Sequence, residues 1–183
     1  MREKQLKFRR ASLEEEEQIF RFIKNQFGAL SLSALENLIL WIREGKVKEV
    51  YAVPLEVSEM LRRIEEDIYT AGIPLGSFSD KGFLLEIEGA TLVLPLTKKI
   101  LSVKTRQFLY GKPIFVTNIE KIESDFNKND YLIVIGENDL HYGIGRAKID
   151  SSELDHVKSS SVIISEYKRK PMDRGWYLRE ENW

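Results

Sequence analysis

The amino-acid sequence predicts an α+β protein in two parts, an N-terminal α/β domain of helices on a small, mostly antiparallel sheet, followed by a domain built mainly of strands. Ser12–Glu15 and Ser33–Glu36 are capping boxes, each followed by apolar residues at helical spacing. Beyond them, short apolar runs separated by polar turns dominate, and Lys98–Lys112 holds five basic residues and no acidic one. These changes predict a boundary near Thr97 and domains 1–97 and 98–183.

Local signals assign the elements of the first part. The basic N-terminal segment, in which Leu6 and Phe8 alternate with cations, predicts either an edge strand or a mobile arm. The helices that begin at the two capping boxes are expected to end at Gly28 and Gly45, and Pro54 leads into a third helix. The inner face of that helix is predicted to be Val57, Met60, Leu61, Ile64 and Ile68, and the remaining elements are a strand over 46–53, a hairpin of strands 73–78 and 83–87, and an apolar run over 90–96.

The second part is organised around a predicted hairpin over residues 129–150. Tyr131–Ile135 is continuously apolar, which predicts a buried strand, and the polar segment Gly136–Asp139 supplies the turn. The return strand carries Gly143 and Gly145 two residues apart, and therefore on one face. We expect that face to be a bare backbone strip that another chain or a ligand can approach closely.

Arg146 and Lys148 are predicted to lie on the opposite face of the return strand, with both charges pointing the same way. A bare strip and a pair of cations on one strand predict a surface that receives a polyanion. The other predicted elements are strands over 100–103, 112–119, 162–167 and 176–179 and a helix over 104–110 that Gly111 closes.

The composition excludes several classes of site. The 183 residues include no cysteine and two histidines, so disulfides, thiol nucleophiles and a histidine-rich metal site are not expected. The longest apolar run, Leu38–Ile42, is far too short to span a bilayer, and the basic N-terminus lacks the apolar block of a secretion signal. The net charge is −1, but residues 98–183 hold 15 basic and 13 acidic side chains, and local basic clusters are what a phosphate backbone meets.

No residues that suit catalysis stand out. The sequence has no phosphate-binding loop of the GxxxxGK type, and its carboxylates fall in the first turns of helices or on charged surface faces. We interpret His141, in the predicted turn, as an exposed loop histidine without a nucleophile partner. The sequence therefore predicts a non-enzyme without cofactor or metal.

Three segments resemble a known domain. Lys128–Asp130, the following strand and acidic turn, and Gly143–Ala147 together resemble the PUA domain, a small β pseudo-barrel. Gln107–Lys112 is similar to the short helix and glycine that open that domain, and Asp173–Arg179 to its closing strand. A Gln-Phe-Leu-Tyr-Gly segment before a PUA domain, on a chain of this length, resembles the Nip-seven ribosome-biogenesis proteins, in which an α/β domain precedes the PUA domain.

The resemblance implies RNA binding on a surface that combines the early helix with the closing strands. Phe108 and Trp176 are expected in the barrel core, whereas Tyr142 and Tyr167 are predicted either to stack on bases or to pack. The RNA-binding residues that the resemblance implies are Lys104, Arg106, Gln107, Lys112, Lys158, Lys168, Arg169 and Lys170, to which the strand pattern adds Arg146 and Lys148.

The function that the resemblance implies is that of an accessory factor in rRNA processing and large-subunit assembly. The first domain would then dock pre-ribosomal or RNA-processing proteins through Phe78, Trp41 and the face of Arg62 and Arg63, although burial is the expected fate of Trp41. The alternatives are a non-catalytic targeting subunit for an RNA-modifying or RNA-degrading enzyme, and an enzyme with its site in the first domain. We expect a cytoplasmic protein, or a nucleolar one in a eukaryotic host.

Overall fold

The computed structural model describes residues 7–64, 68–165 and 172–180. The chain divides into two compact units, a first unit of residues 1–96 and a second unit of residues 97–183. Within the described residues no helix has both the length and the apolar character needed to cross a membrane.

The first unit is built on a five-stranded antiparallel sheet in which the strands lie side by side in sequence order. Two of the four connections between neighbouring strands are tight turns, which antiparallel pairing allows, and the other two carry helices and return the chain to the adjacent position in the sheet. The strands are β1 (Lys7–Arg10), β2 (Leu38–Glu44), β3 (Lys48–Pro54), β4 (Ile73–Ser79) and β5 (Gly82–Leu85). The helices are α1 (Leu13–Phe27), α2 (Leu55–Leu61) and α3 (Ile87–Val93), with 3₁₀ helices at Ala29–Leu35 and Leu94–Leu96.

The start of α1 is as predicted. The Ser12 side chain accepts a hydrogen bond from the Glu15 N–H, and the Glu15 carboxylate accepts one from the Ser12 N–H. Glu15 is buried and also binds Arg9 of β1 and Lys48 of β3. Bonding to Arg9 holds the pKa of this carboxyl far below its usual range although burial opposes the shift. One charged cluster therefore ties the helix to two strands, and β1 is the edge strand that the sequence offered as one alternative.

The predicted second helix, starting at Ser33, is wrong. Its apolar residues form β2, which pairs with β1 on one side and β3 on the other. Leu40, Trp41 and Ile42 are buried one after another, as in a strand whose two faces are both covered. Ser33 does not cap a helix, because its hydroxyl donates to the Leu30 carbonyl within the preceding 3₁₀ helix.

The predicted apolar face of α2 is also wrong in most positions. Val57, Met60 and Ile64 are exposed, and the residues that α2 buries are Ser58 and Leu61. The Ser58 hydroxyl accepts a hydrogen bond from the Trp41 indole, which satisfies two buried polar groups at once. The helix ends too early for the predicted stripe, and residues 65–67 lie outside the described part of the chain.

The second unit is built on a six-stranded sheet in the order β7-β11-β10-β9-β6-β8. Its neighbours pair antiparallel except β6 and β9, which are parallel. The elements are β6 (Ile100–Val103), β7 (Ile114–Phe115), β8 (Ile119–Ile122), β9 (Tyr131–Ile135), β10 (His141–Ala147), β11 (Val162–Ser165) and α4 (Trp176–Glu180), with 3₁₀ helices at Arg106–Tyr110, Val116–Asn118 and Ser151–His156 and a turn at Glu137–Asp139.

The predicted strand over 112–119 is interrupted, because residues 116–118 form a 3₁₀ turn between β7 and β8. The Asn118 side chain accepts a hydrogen bond from the Phe115 N–H and so closes that turn. Phe108 lies in the core as predicted, with 1% of its surface exposed, and packs with Leu132, Val134 and Ile164.

The glycine strip of the central hairpin is not open to a ligand, and this expectation is corrected. Gly143 lies at a β-bulge with φ +147°, and a Cβ there would lie 2.0 Å from the Met172 carbonyl oxygen. A Cβ on Gly145 would lie 2.2 Å from the Ile164 side chain. Both glycines therefore allow the chain's own segments to pack on β10.

The predicted closing strand over 176–179 is a helix, α4, preceded by an isolated bridge between Asp173 and Gly143. The Asp173 carbonyl accepts from the Trp176 N–H, and Gly175 packs so tightly on Leu109 that a Cβ would lie 1.8 Å from its carbonyl oxygen. These contacts turn the chain into a helix directly after the bridge. Trp176 is only half-buried, so the expectation that it fills the barrel core is wrong.

Candidate nucleic-acid interface

The helix Arg106–Tyr110 presents several of the predicted RNA-binding residues. Gly111 ends it in the left-handed conformation, with φ +68°, and donates its N–H to the Gln107 and Phe108 carbonyls. Because Phe108 is anchored in the core, the side chains of Arg106, Gln107 and the following Lys112 are exposed. Tyr110 is also exposed, over 66% of its surface.

The C-terminal segment 172–180 fixes this helix in place. The Asp173 carboxylate has no exposed surface and accepts two hydrogen bonds of 2.8 Å from the Arg179 guanidinium. The same guanidinium donates to the Leu109 carbonyl. A bidentate pair with a buried carboxylate sets position as well as charge, so the C-terminal segment anchors the helix.

A polar cleft of about 800 Å³ opens beside the start of the helix. It lies between β6, β8 and the turn that joins β9 to β10. Tyr142 is buried and lines it. Its charged lining residues are three cations, Lys104, Arg106 and Lys121, and four carboxylates, Glu120, Glu123, Glu137 and Asp139.

Two ion pairs occupy the cleft. Arg106 Nη2 lies 2.5 Å from Glu137 Oε2, and Lys121 Nζ lies 2.5 Å from Glu123 Oε1. Hydrogen bonding to Glu137 raises the pKa of Arg106, and bonding to Glu123 raises that of Lys121. Among the described residues, Lys104 is the cation of this cleft that makes no ion pair.

The structure does not bring all predicted site residues together. Arg146 and Lys148 lie at the far end of β10, where the Arg146 Nε donates to the Asn129 carbonyl and Lys148 follows the strand, exposed. Lys158, also exposed, precedes β11, which begins at that same end. From the turn to the far end, β10 rises by about 20 Å at the usual spacing of strand residues.

Three of the predicted cations, Lys168, Arg169 and Lys170, lie outside the described residues, as does Tyr167. Tyr142 has only 3% of its surface exposed, so of its two predicted roles the structure favours packing. A Cβ on Gly136 would lie 2.1 Å from the Tyr142 ring, which shows that this ring packs on the turn between β9 and β10.

Comparison with known proteins explains this architecture. The family sequence model for the UPF0113 PUA domain matches residues 99–182, and the one for the NIP7/UPF0113 pre-PUA domain matches residues 8–87. A UPF0113 protein of Archaeoglobus fulgidus is 30% identical over 150 residues, which cover 80% of this chain and 82% of the relative. The chain belongs to the NIP7/UPF0113 family. Its second unit is therefore a PUA domain, and the predicted fold class is confirmed.

Two solved structures show the same fold as this NIP7/UPF0113 protein. A PUA-domain structure from Aeropyrum pernix K1, determined as a tartrate complex, has a TM-score of 0.67 and 16% identity, and the match covers 96% of this chain and 91% of that one. A hypothetical protein from Pyrococcus horikoshii OT3 has a TM-score of 0.65 and 10% identity, covering 94% of this chain and 99% of the other. Membership of this family and the PUA domain point to RNA binding.

His141 of this PUA domain is not the exposed loop histidine that the sequence predicts. It is the first residue of β10, and its Nε2 lies 3.0 Å from the Gly143 carbonyl oxygen while its Nδ1 accepts from Arg174 Nε at 3.3 Å. Burial, and then the Arg174 charge, lower the pKa of His141 to about 4, although the bond to the Gly143 carbonyl opposes the shift. The imidazole therefore links the bulge of β10 to the C-terminal segment in its neutral form.

We expect the free energy of unfolding to fall between pH 7 and pH 5 because of His141. The unfolded chain takes up the proton near pH 6.5, whereas the folded chain takes it up only near pH 4, so stability decreases as the pH falls between those values. At pH 5 this difference in pKa lowers the free energy of unfolding by about 2 kcal/mol. Urea denaturation at both pH values checks this, because His141→Gln removes most of the slope. His156→Gln, at the exposed histidine, is the control, and an equal slope in wild type and His141→Gln contradicts the prediction.

The sequence missed the carboxylates of the cleft. Glu120 lies on β8 and Glu123 directly follows it, and their positions in the sequence predict nothing about the β9–β10 turn. They reach the cleft because β6 lies between β9 and β8 in the sheet, an order that skips along the chain. The acidic residues of the turn, Glu137 and Asp139, were visible in the sequence, and they were the one sign that carboxylates would line the site.

Proposed function

We propose that this protein is an RNA-binding accessory factor in rRNA processing and large ribosomal subunit assembly. It holds single-stranded or irregular RNA on the surface of its PUA domain and docks a partner protein through its first unit. It neither makes nor breaks a covalent bond. The observation that supports the RNA-binding part is a set of exposed cations that make no ion pair among the described residues, namely Lys104, Lys112, Lys148 and Lys158.

Unpaired cations suit this role because each one can replace a counterion of the RNA backbone. Lys112 lies beside the helix Arg106–Tyr110 and precedes β7, whereas Lys158 precedes β11, the neighbour of β7 at that edge of the sheet. A strand of RNA that follows this edge meets phosphate-binding groups at both ends. Binding of this kind depends on salt and only weakly on base sequence.

The family resemblance adds Lys168, Arg169 and Lys170 to the proposed RNA-binding residues. Measuring RNA binding by their alanine variants tests this addition.

The docking surface that we propose for the first unit leaves out two of the residues named from the sequence. Trp41 is buried and bonded to Ser58, so it takes no part in docking, and Phe78 packs against Phe83. The remaining docking surface is the exposed end of α2, with Met60, Arg62 and Arg63.

Alanine substitution of the unpaired lysines tests the RNA-binding proposal. We expect Lys112→Ala and Lys148→Ala each to weaken binding of a labelled single-stranded RNA several-fold and to reduce the salt slope by about 0.7, the value for one single-strand phosphate contact. Fluorescence anisotropy over a salt series measures both. Lys46→Ala, an exposed lysine of the first unit, is the control.

The wild-type experiment also separates the functional alternatives. Failure of wild type to bind RNA even in dilute buffer contradicts the proposal, as does turnover of RNA by the purified protein. Affinity capture that returns pre-ribosomal proteins supports the assembly role. Capture of a modifying or degrading enzyme instead indicates a targeting subunit.

A further inference from the structure

Arg106, one of the predicted RNA-binding residues, is already paired within the protein. Its guanidinium bonds the Glu137 carboxylate at 2.5 Å. The pair joins the start of the helix Arg106–Tyr110 to the turn between β9 and β10. A phosphate that makes a two-pronged contact with Arg106 therefore competes with the Glu137 carboxylate for Nη2.

The turn holds Glu137 in position. Asn138 and Asp139 both have φ +57°, the type I′ pattern that suits a two-stranded hairpin, and the Leu140 N–H donates back to the Glu137 carbonyl. The Gly136 N–H donates to the Leu140 carbonyl, which closes the same turn. Glu137 is thus presented by a defined turn opposite Arg106.

The charge of the cleft opposes a polyanion as well. Its three cations face four carboxylates, which leaves a net charge of −1. This differs from the exposed lysines at Lys112 and Lys148, which make no ion pair among the described residues. Non-specific binding to a polyanion is therefore favoured at those lysines and disfavoured in the cleft.

We infer that Glu137 is a specificity-determining residue that competes with RNA phosphate for Arg106. This inference rests on the proposed RNA-binding function and refines it. An RNA whose shape brings a phosphate to the cleft displaces Glu137 and gains the two-pronged contact that an arginine makes with phosphate. Other polyanions meet the carboxylate and bind only through the unpaired lysines. Such a repulsive element raises discrimination at the expense of total affinity.

The Arg106–Glu137 pair is suited to displacement because it is exposed. The Arg106 side chain is 66% exposed and that of Glu137 61% exposed. Exposed ion pairs are weak and are further screened by salt. A phosphate held by the rest of the RNA can therefore replace the carboxylate, whereas a buried pair such as Asp173–Arg179 does not exchange in this way.

Glu137→Gln tests the inference, with Glu123→Gln as the matched control. Both remove one negative charge from the same cleft, and both break an ion pair of 2.5 Å, but only the first releases Arg106. We expect Glu137→Gln to bind inorganic polyphosphate, a polyanion without bases, about fivefold more tightly than wild type. Its salt slope becomes steeper, because one more cation contacts the polyanion.

The double variant Arg106→Ala with Glu137→Gln completes the experiment. If Glu137 acts through Arg106, the gain disappears and the double variant binds like Arg106→Ala alone. An equal gain in Glu123→Gln, which releases Lys121, shows that the loss of any carboxylate from the cleft has this effect and overturns the inference, as does a gain that persists without Arg106. The inference is also overturned if wild type binds RNA but Glu137→Gln binds polyphosphate no more tightly than wild type does. Absence of RNA binding in wild type and every variant defeats the proposed function itself.

Discussion

Replacing Arg179 with leucine is expected to lower the free energy of unfolding of the PUA domain by about 3 kcal/mol. The change removes both 2.8 Å hydrogen bonds that Arg179 makes to the Asp173 carboxylate, which has no exposed surface. A buried charge deprived of such a partner is strongly destabilising. The Leu109 carbonyl also loses its bond to this guanidinium, so the helix Arg106–Tyr110 loosens. Urea denaturation at pH 7 measures the effect.

Arg106→Leu is the control for this prediction. It breaks another arginine–carboxylate pair of the same domain, but both partners there are exposed, and we expect a much smaller loss of stability. Adding Asp173→Asn to Arg179→Leu removes the unpaired charge, and part of the stability returns. Equal losses in Arg179→Leu and Arg106→Leu contradict the assignment of the Asp173 pair as the support of the closing segment.

Gly143→Ala is expected to cost about 3 kcal/mol or more. An alanine here meets two separate penalties. The backbone has φ +147°, which L side chains rarely adopt, and the new Cβ lies 2.0 Å from the Met172 carbonyl oxygen. Since that carbonyl accepts from the Ile144 N–H, relieving the clash separates the C-terminal segment from β10. Urea denaturation gives the loss, and hydrogen exchange at Ile144 shows whether the segment has separated.

Gly82→Ala isolates the conformational part of this penalty. Gly82 in the β4–β5 turn has φ +102°, and a Cβ there meets no atom within 4 Å. We expect a loss of about 1 kcal/mol in the first unit from backbone strain alone. If Gly143→Ala is no more destabilising than Gly82→Ala, close packing of the C-terminal segment on the bulge is not important for stability.

Interactions between near neighbours in the sequence were predicted well. The capping box at Ser12 needs only residues three positions apart, so its pattern identifies the start of α1 directly. The hairpin of β9 and β10 also follows from local information, namely an apolar run, an Asn138–Asp139 turn and a return strand. Ser79–Gly82 likewise connects β4 and β5 as predicted.

The failures share a different cause. Leu38–Glu44 has apolar residues at spacings that fit a helix as well as a strand, and pairing with β1 and β3 decided between them. The segment after Asp173 shows no helical pattern in the sequence, because α4 has only five residues. Contacts to Leu109 hold these residues in place. In both segments distant partners outweigh local preference.

The candidate site shows the same division. Lys104 and Arg106 were predicted as site residues, but Lys121 was not, and neither was the pairing of Arg106 with Glu137. The Arg106–Glu137 pair joins segments that meet because β6 pairs with β9, a strand that does not adjoin it in the chain. Pattern and spacing do not reveal which strands become neighbours when long loops separate them.

The sequence by itself determined the two-part α+β organisation, the first helix, the central hairpin and the supply of basic side chains in the second unit, because each depends on residue types at short spacing. Only the tertiary structure decided that Gly143 of β10 receives the C-terminal segment and that carboxylates outnumber the cations of the cleft. The physical reason is that packing and charge depend on which segments meet in space. That meeting is settled by the burial of the whole core and not by any one segment.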